Sequence, residues 1–245
     1  MERNTQRGII KRKNTGLRDD FFDDNKISDK ITLYLLAGIF GAILMGAGDW
    51  LMIYGDVTPL GDLLWLTEGV ANIEPWRNNL SMALAFPGVI FYAVGLFALK
   101  DVFIFEKNNK IYKGLTAIGF TPWLCIHLFY TMMLFTFAWL TKEGNGNIAC
   151  QLIEETVEHF AWIIPVGEGI MGLPFLYLFF CILTGKSRFK KVLAINNPII
   201  ILGVLKGLTM LFELSPVHLA FTNGLMSESM LVFFVVYIIA FNKIR

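Results

Sequence analysis

The chain has 245 residues, of which 55% are apolar and only 17% are charged, and its mean hydropathy is +0.57. This composition excludes an ordinary water-soluble domain and indicates an integral membrane protein. The formal net charge is +1, so no bulk attraction to nucleic acid exists and no nucleic-acid partner is expected.

Residues 1–30 form a charged tail that precedes the first apolar run. The segment "RNTQRGIIKRKNTGLR" carries six positive charges and no acid before "DDFFDD" begins. We interpret it as an anchor that fixes the topology and contacts anionic lipid headgroups, with each charge contributing about 1 kcal/mol near the surface. We therefore expect a cytoplasmic N-terminal tail at residues 1–30.

Six apolar runs follow, and each is long enough to cross a bilayer. A hydrocarbon core of about 30 Å requires roughly 20 helical residues, and backbone amides in lipid must be bonded within their own helix. The alternating segments of a β-barrel are missing. The fold class is therefore all-α, a polytopic bundle within residues 31–241, with predicted spans at 31–54, 79–105, 114–140, 159–184, 192–213 and 217–241.

Two segments near the first span have alternative interpretations. The sequence "MGAGD" places small residues after an apolar stretch, so the first span is open to the alternative of a signal peptide. The stretch "GDLLWLTEGVANIEPW", residues 61–76, is short and holds three acids. We interpret it as an interfacial or re-entrant segment outside the main spans and not as a seventh crossing.

Lysine and arginine predict the orientation of the bundle. Residues 1–30 contain eight of them, the 100–113 loop four, the 186–191 loop four and the C-terminal tail two, whereas only Arg77, Lys142 and Lys206 lie elsewhere. The positive-inside rule places both termini, including the tail at 242–245, in the cytoplasm. The acidic loops then face outward, and most tryptophans fall near the outer interface.

Ionisable side chains gather in the outer half of the predicted bundle. Each such group costs about 2.5–3.5 kcal/mol at a helix centre, so these groups usually face the protein interior and have a partner. Asp49 shares a helical stripe with Ala42 and Gly46, which predicts that it faces neighbouring helices. We expect a polar pocket that opens toward the outer surface.

Glu168 is the leading candidate carboxylate. Pro165 and Pro174 bracket three glycines in the fourth span, a pattern that predicts a broken helix with Glu168 at the break. Broken helices line binding sites in carriers. The alternative is that Glu168 simply forms an ion pair with Lys206 of the fifth span.

Histidines supply a second hypothesis. His127, His159 and His218 lie in or at the end of three different spans. Three imidazoles and a carboxylate would suit a zinc ion that activates water for hydrolysis, although no pair has a diagnostic spacing. Zinc is the cofactor of this alternative, and otherwise no cofactor is expected.

The segments "GAGDWLMIYGD", "WRNNLSMALAFPGVIFYAVGLFAL", "KKVLAINNP" and "FTNGLMSESMLVFF" resemble an uncharacterised family of bacterial six-helix membrane proteins. The resemblance covers most of the chain and implies a protein of the bacterial inner membrane without implying an activity. It draws attention to the matching positions, which are Asp49, Trp76, Arg77, His127, Asn197, Pro198 and Asn223.

The sequence thus predicts a multi-pass protein whose outward-facing pocket binds, and by extension transports, a small or amphiphilic ligand. Two alternatives stay open, a metal-dependent hydrolase or other lipid-modifying enzyme, and a non-catalytic accessory subunit. No catalytic residue is assigned and homo-oligomerisation is left open. The expected ligand-binding residues are Asp49, Trp76, Arg77, His127, Glu168, Lys206, Asn223 and Glu228.

Overall fold

The computed structural model describes the backbone of residues 25–244 and the side chains of residues 31–241. Within that range the secondary structure is helical. The predicted anchor in the N-terminal tail lies outside the described residues. The helices are α1 (Asn25–Ile53), α2 (Glu68–Ala71), α3 (Pro75–Ala98), α4 (Glu106–Lys142), α5 (Gly146–Phe160), α6 (Ile163–Leu183), α7 (Pro198–Thr209) and α8 (Pro216–Ile244).

Five of the described helices are long and apolar enough to cross a membrane, namely those that include Ile31–Ile53, Pro75–Val102, Glu106–Lys142, Ile163–Leu183 and Pro216–Phe241. They agree with the predicted first, second, third, fourth and sixth spans to within a few residues at most ends. Each of these helices coincides with an apolar run, as expected because a helix bonds its backbone amides internally. The described fold is therefore all-α, as the apolar runs predict.

The fifth predicted span, 192–213, is not a continuous helix. A 3₁₀ turn at Lys191–Ile195 is followed by a break, and α7 has only 12 residues, a length of about 18 Å. The break is built from local chemistry: the Asn197 side chain accepts a hydrogen bond from the amide of Ile199, and Pro198 opens the helix. Asn197 also donates to the carbonyl of Phe175 at 2.8 Å.

Neighbouring long helices run in opposite directions. Glycines permit the closest approach of α1 and α3, where a Cβ on Gly41 would lie 2.7 Å from the Gly88 carbonyl oxygen. Ser227 of α8 lies against Gly46 of α1, and Phe234 of α8 lies against Gly38. The residue numbers rise along α8 as they fall along α1, so the two helices are antiparallel. The aligned ends of the helices therefore form two surfaces at opposite ends of the bundle.

We name these two surfaces by their charges. The basic end holds Lys100, Lys107, Lys110, Lys113, Lys186, Lys190 and Lys191, and the acidic end holds Asp56, Asp62, Glu68, Glu74, Glu143, Glu154, Glu155 and Glu158. α6 ends at the basic end, where the Asn108 side chain donates to Cys181. α8 begins at the acidic end, where Leu219 packs with Met52 and Leu134. Residues 184–215 therefore pass from one end to the other.

A folded cap covers the acidic end. Residues 61–76 do not form a helix long enough to cross; Pro59 bridges to Thr67, and Leu66, Val70 and Ile73 are buried there. Gly55 and Gly69 pack backbone against backbone, since a Cβ on Gly69 would lie 2.3 Å from the amide nitrogen of Asp56. This contact holds the cap against the end of α1.

The cap has two further supports. The Thr58 amide and hydroxyl donate to the Asp56 carboxylate and lower its pKa below the usual value. That turn is therefore supported at neutral pH and loses the support as the pH falls through the Asp56 pKa. The second support is α5, an amphipathic helix in a region expected to be a loop, whose Glu154 accepts from the amide of Asp62 at 2.6 Å.

Candidate functional site

A layer of polar side chains lies between two apolar cores. One core fills the half of the bundle near the basic end and includes Met45 and Trp123, and the other includes Met52 and Leu134 near the acidic end. Asp49, Ser81, His127, Thr131 and Ser227, drawn from α1, α3, α4 and α8, lie between them, and we call this set the polar layer. Its members have to satisfy one another because the surrounding side chains are apolar.

The polar layer is centred on a pair between α1 and α4. Nδ1 of His127 lies 3.3 Å from Oδ1 of Asp49, and the side chains are 6% and 15% exposed respectively. On the other side of the imidazole ring, Nε2 lies 3.3 Å from the hydroxyl oxygen of Ser81 in α3. Three helices are therefore joined through one buried histidine.

Two hydroxyl groups complete the polar layer. The Ser227 hydroxyl donates to Oδ2 of Asp49 at 2.8 Å, so both carboxylate oxygens have a partner. The Thr131 hydroxyl donates to the backbone carbonyl of His127 at 2.8 Å. Gly48 makes room for this arrangement, since a Cβ there would lie 3.3 Å from the Ser81 hydroxyl oxygen. The result is a connected chain from Ser81 to Ser227.

Beside the polar layer, a pocket of about 1060 Å³ opens between α1, α3 and α8. We call it the lateral pocket. Its apolar wall includes Ala42, Ile43, Leu80, Leu84 and Leu231, and its polar groups are Trp50, Tyr54, Trp76, Arg77, Ser227 and Glu228. Ser227 belongs to both structures, so the polar layer meets the lateral pocket at that residue.

Glu228 is the carboxylate of the lateral pocket. Its Oε1 accepts a hydrogen bond from the indole nitrogen of Trp50 at 3.0 Å. Its Oε2 is buried and has no hydrogen-bond partner among the described residues. The carboxylate lies over Gly224, where an added Cβ would come within 2.7 Å of Oε1. Glycine at position 224 therefore permits this placement of the acid.

Arg77 is the cation of the lateral pocket. It lies in the first turn of α3, and its Nη2 donates to the backbone carbonyl of Tyr54 at 2.7 Å. No described carboxylate lies within ion-pair distance of the guanidinium, which has five N–H donors in all. Trp76 beside it is 57% exposed. The pocket thus carries one acid and one base that are not paired with each other.

The helix break expected at Glu168 is not observed. α6 is continuous from Ile163 to Leu183, and Pro165 is its third residue, where the missing N–H is not needed. The chain breaks earlier, at Ala161–Trp162, and Glu168 lies on an exposed face away from the lateral pocket. Lys206 of α7 is also exposed, and no ion pair joins these two side chains in the described part of the chain.

The three histidines do not form a common site. Nδ1 of His159 donates to the Glu155 carbonyl at 2.8 Å, and Nδ1 of His218 donates to the Glu213 carbonyl at 3.0 Å. Both bonds are local, whereas His127 belongs to the polar layer. Among the side chains that the structure describes, residues 31–241, no group of three or more histidine, cysteine, aspartate or glutamate residues is placed to hold a metal ion. The geometry does not support the zinc site.

Asn223 lies near the polar layer but has partners of its own. The Tyr130 hydroxyl donates to its Oδ1 at 3.0 Å, and its Nδ2 donates to the carbonyl of Leu219 at 2.9 Å. It therefore connects α8 to α4 and does not line the lateral pocket. Of the eight expected binding residues, Trp76, Arg77 and Glu228 line that pocket, and Asp49 and His127 lie in the polar layer.

Five polar residues of the site were not assigned from the sequence: Trp50, Tyr54, Ser81, Thr131 and Ser227. Serine attracts little attention in a membrane helix because it costs little to bury and bonds readily to its own helix. Trp50 is one of the tryptophans expected near the outer interface, a position that by itself indicates no binding role. The sequence does contain signals for three of them. Trp50 is next to Asp49, and Ser227 is next to Glu228. Ser81 lies one helical turn after Arg77.

Comparison with known proteins identifies a family and no individual relative. No curated protein and no solved structure matches the chain. One family model, described as a family of unknown function (DUF6796), matches residues 21–243. That range includes the polar layer and the whole lateral pocket. The expected membership of an uncharacterised family is confirmed: the chain belongs to the DUF6796 family of unknown function.

Proposed function

We propose that this protein crosses the membrane six times, with both termini in the cytoplasm, and that its lateral pocket binds an amphiphilic ligand from the outer side. The crossing number rests on the five long helices and on residues 184–215, which connect opposite ends of the bundle. Their 3₁₀ turn and α7 would make one discontinuous crossing. The orientation rests on the lysines of the basic end.

One observation carries the binding proposal: an unpaired acid and an unpaired base line an otherwise apolar pocket of about 1060 Å³. A pocket of this kind, apolar with a few placed polar groups, is the usual form of a small-molecule site. Polar groups facing acyl chains alone would be costly. A ligand with a polar head and an apolar body would satisfy both parts of the wall.

Transport is the extension of this proposal. Discontinuous helices occur at the binding sites of carriers, where they move against a neighbouring bundle. The break at Asn196–Asn197 is the element that such a movement would use. Asn196 and Asn197 donate to the carbonyls of Phe233 and Phe175, so two reversible hydrogen bonds hold the break against α8 and α6.

Binding is tested by native mass spectrometry of protein extracted in a mild detergent. Wild type is expected to retain an amphiphile, and Leu84→Trp, which fills the lateral pocket, is expected to lose it. Val204→Trp on the exposed face of α7 is the matched control and is expected to retain it. Equal retention by both variants would contradict the pocket. A wild-type protein without any retained or added ligand would favour the accessory-subunit alternative.

An enzymatic function is the second candidate, and a different observation favours it. Ser81, His127 and Asp49 lie in the order of a serine-hydrolase triad, with Nε2 facing the hydroxyl and Nδ1 facing the carboxylate. Ser81 is fully buried and does not line the lateral pocket, which is why we place this candidate second. A fluorophosphonate probe would label Ser81 in wild type and not in Ser81→Ala; no labelling would contradict it.

A further inference from the structure

The carboxylate of Glu228 indicates what the ligand has to carry. Glu228 lines the lateral pocket, its Oε1 accepts from the Trp50 indole, and no described lysine or arginine lies within ion-pair distance of it. A carboxylate in such a position needs a donor, and an ammonium group supplies both hydrogen bonds and the opposite charge. Arg77, the cation among the lining residues of the same pocket, contacts the Tyr54 carbonyl and not Glu228.

We propose that the lateral pocket binds a phospholipid with a primary-amine headgroup, whose ammonium contacts Glu228 and whose phosphate contacts Arg77. This inference rests on the proposed function and names its ligand class. The aromatic rings beside Glu228 add to the attraction for a cation. Trp50 and Tyr54 line the pocket as parallel rings with centroids 6.4 Å apart, and such faces attract an ammonium group.

Arg77 is suited to the phosphate. Within the described chain its guanidinium makes one hydrogen bond, from Nη2 to the Tyr54 carbonyl. The other N–H donors of the guanidinium therefore remain for a phosphate oxygen. Arg77 contacts Tyr54 and Glu228 contacts Trp50, and these two residues lie one turn apart on the face of α1 that lines the pocket. A headgroup that carries both an ammonium and a phosphate would supply one group for each of the two side chains.

The rest of the pocket is suited to acyl chains. Its α1 wall runs from Ala42 to Tyr54, about 18 Å along the helix, and one leaflet of a bilayer is about 15 Å thick. Ala42, Gly46 and Ala47 have small side chains, which leaves room beside α1. Leu84 of α3 and Leu231 of α8 line the facing walls. A free headgroup would leave this apolar surface uncovered, which is why the proposal specifies a lipid.

The test is calorimetric titration of the detergent-purified full chain with dioctanoyl lipids that differ only in the headgroup. Phosphatidylethanolamine is expected to bind about tenfold more tightly than phosphatidylglycerol, equivalent to about 1.4 kcal/mol, because the latter has no ammonium. Phosphatidylcholine is expected to bind with an affinity between those of the other two lipids, since its quaternary ammonium carries the charge but cannot donate a hydrogen bond. O-Phosphoethanolamine without acyl chains is expected to show no measurable binding.

Variants assign the two ends of the headgroup. Glu228→Gln is expected to remove the preference for the ethanolamine lipid over the glycerol lipid, and Arg77→Gln is expected to weaken all three lipids by a similar factor. Glu168→Gln is the matched control on an exposed face and is expected to bind as wild type does. If Glu228→Gln does not fold, the rank order of the headgroups in wild type still decides the proposal.

The outcomes separate this inference from the proposed function. Equal binding of the three lipids, lost in Leu84→Trp, would overturn the headgroup assignment and leave the pocket in place. Tight binding of O-phosphoethanolamine would overturn the lipid as the source. Failure of every lipid to bind, together with no effect of Leu84→Trp on any retained molecule, would overturn both proposals.

Discussion

His127 and Asp49 form a buried contact in which Nδ1 and Oδ1 lie 3.3 Å apart, and the Ser227 hydroxyl occupies the other oxygen of Asp49. α1, α4 and α8 thus meet at one carboxylate. The contact lies between the two apolar cores, so neither partner has water as an easy substitute. A packing that separated these helices would leave a buried carboxylate and a buried imidazole without their partners, which is costly.

Asp49→Asn is expected to destabilise the bundle. The change removes the charge that faces His127 and leaves a buried imidazole with a weaker partner, which typically costs about 1–3 kcal/mol. Thermal unfolding in detergent is expected to show a Tm lower by roughly 5 °C for a chain of this size. Asp62→Asn in the exposed cap is the control and should leave Tm unchanged. Equal Tm values for the two variants would contradict a structural role for the contact.

Most of the fold could be predicted from the sequence because apolar runs of about 20 residues are typical of helices long enough to span a bilayer. Apolar runs predict the positions of five long helices, and the small-residue stripe predicts that Asp49 faces inward. The fifth span was predicted as continuous because hydropathy does not distinguish a helix from a buried turn. The sequence "NNP" at 196–198 forms the start of α7, where Asn197 caps the helix and Pro198 is its first residue.

The predicted helix break at Glu168 was wrong because of where Pro165 lies in the helix. Proline disrupts a helix interior, but Pro165 lies in the first turn of α6, where its ring is tolerated. The direction in which a side chain faces depends on which helices pack together, and α6 packs on α4 through Gly119 and Gly167. Glu168 follows Gly167 directly and therefore points away from that contact.

Glycines at the α1–α3 contact provide the next prediction. Gly41→Ala is expected to destabilise the protein by about 1–3 kcal/mol, because its Cβ would lie 2.7 Å from backbone atoms of α3. Gly203→Ala in α7 is the matched control, since an added Cβ there meets nothing within 4 Å. The control is expected to be neutral or stabilising by about 0.5 kcal/mol. Comparison of thermal unfolding midpoints checks both, and a neutral Gly41→Ala would contradict the close contact.

Cys150 in the cap gives a pH-dependent prediction. Partial burial and, to a smaller extent, the Glu154 carboxylate raise the pKa of its thiol, and only the thiolate reacts with iodoacetamide. In a Cys125→Ser, Cys181→Ser background, the pH at which alkylation reaches half its maximal rate is expected above that of an exposed thiol. Glu154→Gln is expected to lower this pH, and Glu155→Gln, the control, to leave it in place. An unchanged profile in Glu154→Gln would contradict the contribution of its charge.

The orientation of the bundle is tested by cysteine accessibility in intact cells. Glu143 lies exposed at the acidic end and Lys190 lies exposed at the basic end, so each is a suitable site for a single cysteine in a cysteine-free background. If the acidic end faces outward, a membrane-impermeant maleimide labels Glu143→Cys in intact cells and labels Lys190→Cys only after lysis. The positive-inside rule requires this order, because lysines near the spans are retained in the cytoplasm. Labelling in the opposite order would place the lateral pocket's Arg77 on the cytoplasmic side, and a ligand would then have to enter from the inner leaflet.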